Sequence, residues 1–475
     1  MKTKKHFHIY GDNIVECIRA FDYIISGLND LVKNVTGPQR SVTCPVYEVK
    51  LENVDLVFQF LPGYGERRWN QDILAFVQRS GGRLREAADA IITLVEQDNE
   101  RPVAAIEFCG ALPAGNQAWQ RQGRAFSFAH ARIPYFYVAE LGGFELGAGR
   151  DRKAQRMPNP AIPFSFFTIT SYQGSVCLPV YEANAGATQE TTKLYAPVFG
   201  KLEFLDFLKL AILGDATEKA ATRLEDKSVA LVKLLAQSKK RQDGLSREQW
   251  TSAYQAIING QNLPDYLSSH ARLSWKKTAY IAGLTTTAKQ FMDFGAQASF
   301  GLTSSVLPLS FVPKEKRTSF SQKTKLLYPD MESDFSKWLG REDRHLAISW
   351  VMGFKPRGDD ARPDRGLPPL ARMLIGNDCD LLTFVYGPAP VSHWNELAKN
   401  PVSLAKKNGL WEAVLSVSDG VLVDSSTKPD LTPRGYLKHT WSAVLTEEHI
   451  PLRVNARVLS FGEQDVDSAL HVAFE

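Results

Sequence analysis

Two carboxylates set in apolar surroundings carry the chemistry that this 475-residue chain most clearly advertises. They are Asp89, in Ala88-Asp89-Ala90-Ile91-Ile92-Thr93-Leu94-Val95, and Glu107, in Val103-Ala104-Ala105-Ile106-Glu107-Phe108-Cys109. Both stretches are short and aliphatic and read as neighbouring strands. An unpaired buried carboxylate is costly, so acids kept at matched places on two such strands call for a cation. Hard divalent cations such as Mg²⁺ take oxygen ligands and keep several waters, and a metal held between two carboxylates can activate water against a phosphodiester. Taken singly, either acid reads first as an edge-strand charge or half of a structural ion pair, and only the matched pair turns the reading toward a metal site.

The elements that would position these acids follow in order. A helix is expected from Asn13 to Val32, with apolar residues at Ile14, Cys17, Ile18, Phe21, Ile24 and Ile25. Its first turn carries Glu16, where an acid also suits the helix dipole. After Glu107 a loop, Gly110-Ala111-Leu112-Pro113-Ala114-Gly115, leads to a helix opening near Asn116 and then to a strand over Tyr135-Phe136-Tyr137-Val138-Ala139. That second helix carries Gln117, Gln120, Arg121 and Arg124, and the three-and-four spacing puts Gln117, Arg121 and Arg124 on one face.

This arrangement resembles the PD-(D/E)XK nuclease superfamily, the fold of many restriction endonucleases and phage-defence nucleases, over roughly residues 8 to 142. The resemblance implies an α/β fold with a restriction-endonuclease-like mixed sheet flanked by helices. It also implies Asp89 and Glu107 as Mg²⁺ ligands and catalytic residues, Glu16 as a further metal-facing acid, and Gln120 as a polar helix residue against the site. One position departs from the pattern: the lysine expected two residues after the second acid is Cys109. Strand alternation keeps Glu107 and Cys109 on one face, but a neutral thiol offers no positive charge to a phosphate. Arg124, on the following helix, is the expected replacement. The alternative is a protein that has lost catalysis and only binds nucleic acid. A rival register, Glu48-Val49-Lys50, spells acid-x-lysine directly, but no strand-borne Asp precedes it, since Asp30 falls in the expected first helix.

Composition fits an ordinary globular protein, with 44% hydrophobic and 23% charged residues. Its length exceeds what one core usually serves. The net charge of +4 neither demands nor excludes a polyanion. Local basic clusters at Lys239-Lys240-Arg241, Lys276-Lys277, Lys314 with Lys316-Arg317, and Lys323 with Lys325 could neutralise phosphates, or could simply be solvated faces. The five cysteines, Cys17, Cys44, Cys109, Cys177 and Cys379, stand far apart, which argues against a zinc module or a disulfide framework. Asp12, Asn13 and Glu16 interrupt any signal-like apolar stretch. No run reaches the length of a membrane span, so a cytoplasmic location is expected.

Four regions are expected: a nuclease-like domain over 1–145, an irregular connecting segment over 146–200, a helical region over 201–300, and an α+β domain over 301–475 that would recognise nucleic acid or sense a signal. In the last of these, the loop around Lys355-Pro356-Arg357 and Arg362-Pro363-Asp364-Arg365 is dense in Arg and Asp. Lys355, Arg357, Arg362 and Arg365 are candidates for contact with phosphate or a guanine edge; a self-paired Arg and Asp network is the alternative. A second nuclease site at Pro363-Asp364 is disfavoured, because Asp378 and Asp380 precede their strand.

The expectation is therefore an Mg²⁺-dependent DNA endonuclease of the type II restriction class. It would act on double-stranded DNA, as a homodimer where both strands are cut, alongside a cognate methyltransferase. A phage-defence effector switched on by a partner is the second expectation.

Overall fold

The computed structural model describes residues 3–40, 43–63, 72–84, 86–97, 99–109, 121–146, 152–154, 158 and 161–236 of the chain. It then describes a few residues between 252 and 266, and residues 286–295, 298–300, 309–329, 331, 333–352, 366–386, 410–426, 439–445 and 454–455. The chain forms two compact units, the first built mainly from residues up to Leu231 and the second mainly from Val232 onward. Both are mixed α/β.

The first unit opens with β1 (Thr3–Gly11), α1 (Ile14–Gly27), β2 (Asn34–Arg40), β3 (Pro45–Lys50) and β4 (Val54–Pro62). It continues through α2 (Ile73–Arg79), β5 (Ala90–Glu96), β6 (Asn99–Cys109), α3 (Gln122–His130) and β7 (Tyr135–Leu141). In chain order a small hairpin of β8 (Phe144–Leu146) and β9 (Arg152–Ala154) follows, then α4 (Ala161–Gln173), which belongs to the second unit up to Thr168, β10 (Cys177–Ala183), α5 (Gln189–Tyr195), α6 (Lys201–Leu213) and α7 (Glu218–Ala236), which passes into the second unit at Val232. Eight strands form one sheet in the order β10-β7-β6-β5-β1-β4-β3-β2. β6, β7 and β10 run parallel, whereas β5 is antiparallel to both β6 and β1. Parallel neighbours need crossover connections, and the segments carrying α3 and α4 supply them.

One face of this sheet carries the core. Phe7, Ile9, Phe58, Phe60, Ile106, Phe108, Phe136 and Val138 pack with Phe21 and Ile24 of α1 and with Phe204, Phe207 and Leu208 of α6. The rings of Phe7 and Phe58 stack at 5.1 Å, and Phe136 meets Phe204 at 4.8 Å. Gly27 allows α1 to lie close to α6, since a Cβ there would stand 2.6 Å from the Leu205 carbonyl oxygen. Because side chains alternate along a strand, anchoring Ile106 and Phe108 in this core turns Glu107 to the opposite face.

Residues 146–200 correct the expectation of irregular chain. Pro163 sits in the first turn of α4, where its missing N–H costs nothing. The aromatic and small residues around it are helix core, and Cys177–Ala183 supplies an edge strand of the sheet. The expected helical region over 201–300 does contain helices, but α6 and the start of α7 pack on the first sheet. α1 ends at Gly27, short of the expected Val32.

The second unit contains α8 (Thr286–Gly295), β11 (Ala298–Phe300), β12 (Leu309–Val312), α9 (Arg317–Leu327), α10 (Ser333–Leu339) and β13 (Leu346–Met352). Then come α11 (Leu367–Ile375), β14 (Asp380–Tyr386), α12 (Leu410–Val417), β15 (Gly420–Ser426), β16 (His439–Leu445) and β17 (Val454–Asn455). The strands form one sheet in chain order, with β13, β14 and β15 parallel. Phe291, Trp350 and Phe384 lie at its centre.

Arg317 corrects its assignment to a phosphate-neutralising cluster. Its guanidinium is fully buried, pairs with Asp380 at 2.6 Å, and donates to the carbonyls of Leu339, Arg344 and Trp338. Lys314, Lys316, Lys323 and Lys325 remain exposed. Arg317→Ala leaves three backbone carbonyls without their buried donor and Asp380 with only the more distant Arg341 and Arg344, at 3.8 and 3.7 Å, and is expected to destabilise this unit by about 3 kcal/mol, read by urea denaturation with Trp338 and Trp350 as fluorescent reporters.

Candidate functional site

β5 and β6 are antiparallel with Ala90 opposite Ile106. One further step along this register sets Asp89, the residue just before β5, across from Glu107. The Phe108 N–H donates to Asp89 Oδ2 at 2.8 Å and fixes that side chain against the neighbouring strand. α3 returns along the same face and delivers Arg124. Its Nη1 lies 2.7 Å from each Glu107 carboxylate oxygen and 3.0 Å from Asp89 Oδ1. Three carboxylate oxygens from two strands thus converge on one nitrogen. The Glu107 side chain is 0% exposed, Asp89 15% and Arg124 34%, so solvent meets the group through the arginine.

Electrostatics set the state of this cluster. Burial works against the Arg124 charge, yet the fields of Glu107, Asp89 and Glu86 outweigh it and hold the guanidinium more firmly protonated than usual. Glu16 feels the opposite balance. Burial, then the charges of Asp89 and Asp12, push its carboxyl up to about 7, against the lowering effect of the hydrogen bond from the Asn13 N–H.

Glu16 also has a structural task. Asn13 Oδ1 accepts from Val15 N at 2.9 Å and Glu16 N at 3.2 Å, while Glu16 Oε2 accepts from Asn13 N at 3.2 Å. This is a reciprocal cap of the kind that closes the first turn of a helix. Among the described residues no group of three or more His, Cys, Asp and Glu is arranged to hold a metal ion. The pair at 89 and 107 nevertheless offers the oxygen donors that a hard cation takes, and it already surrounds a cationic centre. In this arrangement that centre is Arg124, with Glu16 turned toward its cap.

The other expected site residues divide. Cys109 ends β6 and is buried. Gln120, with Gln117, and Lys355, Arg357, Arg362 and Arg365 lie outside the described residues, as do Lys239-Lys240-Arg241 and Lys276-Lys277. Glu48 of the rival register pairs with Lys4 at 3.3 Å, and Lys50 is exposed on β3. Asp380 begins β14 within the buried ion pair already described, and Asp378 is exposed.

No protein-family model, no curated protein and no solved structure matches this chain.

A second polar network was missed in the sequence. Glu100 of β6 accepts from Tyr10 Oη at 2.8 Å and Thr93 Oγ1 at 2.5 Å, and its Oε1 meets His8 Nδ1 at 3.0 Å. Burial raises the Glu100 carboxyl, but these hydrogen bonds and the His8 charge outweigh it and hold the group below its usual range. Lys4, His6, His8, Glu48 and Gln59 line an adjoining groove. The signal available was the alternation of His6, His8 and Tyr10 along β1. Its partner, Glu100, sits at the far end of β6 and becomes legible only once the strand register is known.

Two outcomes follow. A carboxyl raised on folding contributes full stability below its unfolded pKa and loses it as pH rises through the folded value. Stability is therefore expected to fall between pH 4.5 and about 7 on account of Glu16, and Glu16→Gln should flatten that part of a melting-temperature profile taken in chelator. Glu100→Ala removes the acceptor of two buried hydroxyls and is expected to cost roughly 2–3 kcal/mol in urea denaturation.

Proposed function

We propose that the first unit is a divalent-cation-dependent DNA endonuclease domain of the PD-(D/E)XK type, and that the chain acts as a type II restriction endonuclease on duplex DNA. The observation that carries the reading is the convergence of Asp89 and Glu107 on one cationic centre supplied by the next helix. The strand, strand, helix, parallel strand order of β5, β6, α3 and β7 supports it further.

In this reading Asp89 and Glu107 hold Mg²⁺. When bound, the ion supplies a water of lowered pKa and positive charge against the phosphate. The chain's own residues do the rest. The Phe108 N–H keeps Asp89 aimed at Glu107. Arg124, released from the carboxylates, presents a planar fork of donors to phosphate oxygens, filling the role of the lysine replaced by Cys109. Glu16, held on the first turn of α1 within the field of Asp89 and Glu107, would be a further acid facing the ion.

The seating of Arg124 between the acids favours one second reading, a catalytically inactive nucleic-acid-binding protein in which the three charges form a structural ion cluster. Purified full-length protein incubated with plasmid and Mg²⁺ separates the two. Discrete bands that vanish with chelator, with Asp89→Asn or with Glu107→Gln are expected. Binding of duplex DNA without any cutting by the parent protein, unchanged by either substitution, would establish the second reading instead.

A further inference from the structure

We infer that Arg124 and a divalent cation compete for one position, so that the chain latches its own carboxylate pair and accepts metal only as an anionic phosphate draws the arginine away. The inference rests on the metal-site reading of Asp89 and Glu107. Arg124 Nη1 stands 2.7 Å from two oxygens and 3.0 Å from a third. Mg²⁺ binds oxygen at about 2.0–2.1 Å, so an ion reaching these donors must sit where the guanidinium nitrogen now is.

Charge makes the competition real. Two carboxylates against one guanidinium leave the group net negative, and Glu86 and Glu16 add to that field. A dication would neutralise the pair more fully than Arg124 does. The arginine cannot be removed by titration, because a guanidinium stays charged in proteins. It can be removed by exchange. Arg124 is about one third exposed and belongs to the first turns of α3, and its fork matches a phosphate as well as a carboxylate.

Exchange ties the two ligands together. A phosphate that captures Arg124 uncovers the donors and raises cation affinity, and by linkage the cation raises phosphate affinity by the same factor. Metal loading is then a response to substrate.

The test uses the full chain and Mn²⁺, with free Mn²⁺ followed by electron paramagnetic resonance. Arg124→Ala is expected to bind Mn²⁺ at least tenfold more tightly than the parent, and adding Asp89→Asn should abolish the gain. A short DNA duplex, after subtracting its own Mn²⁺ uptake, should raise the parent's affinity and leave that of Arg124→Ala unchanged. Equal Mn²⁺ affinity in the parent and Arg124→Ala, both lost on Asp89→Asn, overturns the latch while leaving the metal site standing. No Mn²⁺ bound at Asp89 in either protein overturns the metal-site reading itself. Circular dichroism checks folding, and if Arg124→Ala fails to fold, Arg124→Gln is read in its place. A variant folded only with Mn²⁺ supports the latch, whereas both variants unfolded with and without Mn²⁺ overturn it.

Discussion

The carboxylate of Glu107 is the constraint around which the first unit is arranged. It sits on a central strand with no exposure of its own, so a charge of opposite sign must reach it from the same side of the sheet. α3 exists at the right place to meet that need, because β6 and β7 are parallel and a parallel pair requires a crossover. The helix that makes this crossover brings Arg124 back over the strand ends. The sheet order, the direction of β7 and the ion cluster are thus one solution to one problem.

The opposite face of the same sheet is governed mainly by packing, with Tyr23, Glu182 and Lys201 forming a small polar group at its margin. Alternation sends Ile106 and Phe108 into the aromatic core beneath α1 and α6, and Glu107 cannot follow them. Any shift of β6 by one residue would turn the acid into the aromatic core beside Phe136 and put Ile106 on the face where Arg124 now meets Glu107. The core therefore holds the register that sets Asp89 across from Glu107, and the chemistry of one face is fixed by the hydrophobic surface of the other.

The parts legible in the sequence were those encoded by short-range pattern. Asn13 and Glu16 mark a helix start because a side-chain cap is a local event, and the aliphatic runs around Ala90–Glu96 and Val103–Cys109 mark strands because alternation and branching are local too. The convergence of residues 89, 107 and 124 could be anticipated from spacing because only one hairpin and one crossover separate them. The Glu100 network could not, since His8 reaches it through β1, a strand inserted beside β5 from far away in the chain. Residues 158–183 misled for a different reason. Proline and aromatic density suggested loose chain, but a proline in a first helical turn and aromatics on a buried helix give the same composition.

β10 takes the outer place beside β7, and α6, which begins only at Lys201, closes the aromatic core from well beyond the expected boundary at 145. Dissection of this protein at that boundary would strip the sheet of its last strand and uncover Phe136 together with a bare row of backbone donors and acceptors, a template for self-association. A fragment that keeps this sheet and its aromatic core whole must instead extend through α6 and into α7, so chain far beyond the ion cluster in sequence helps to hold that cluster in place.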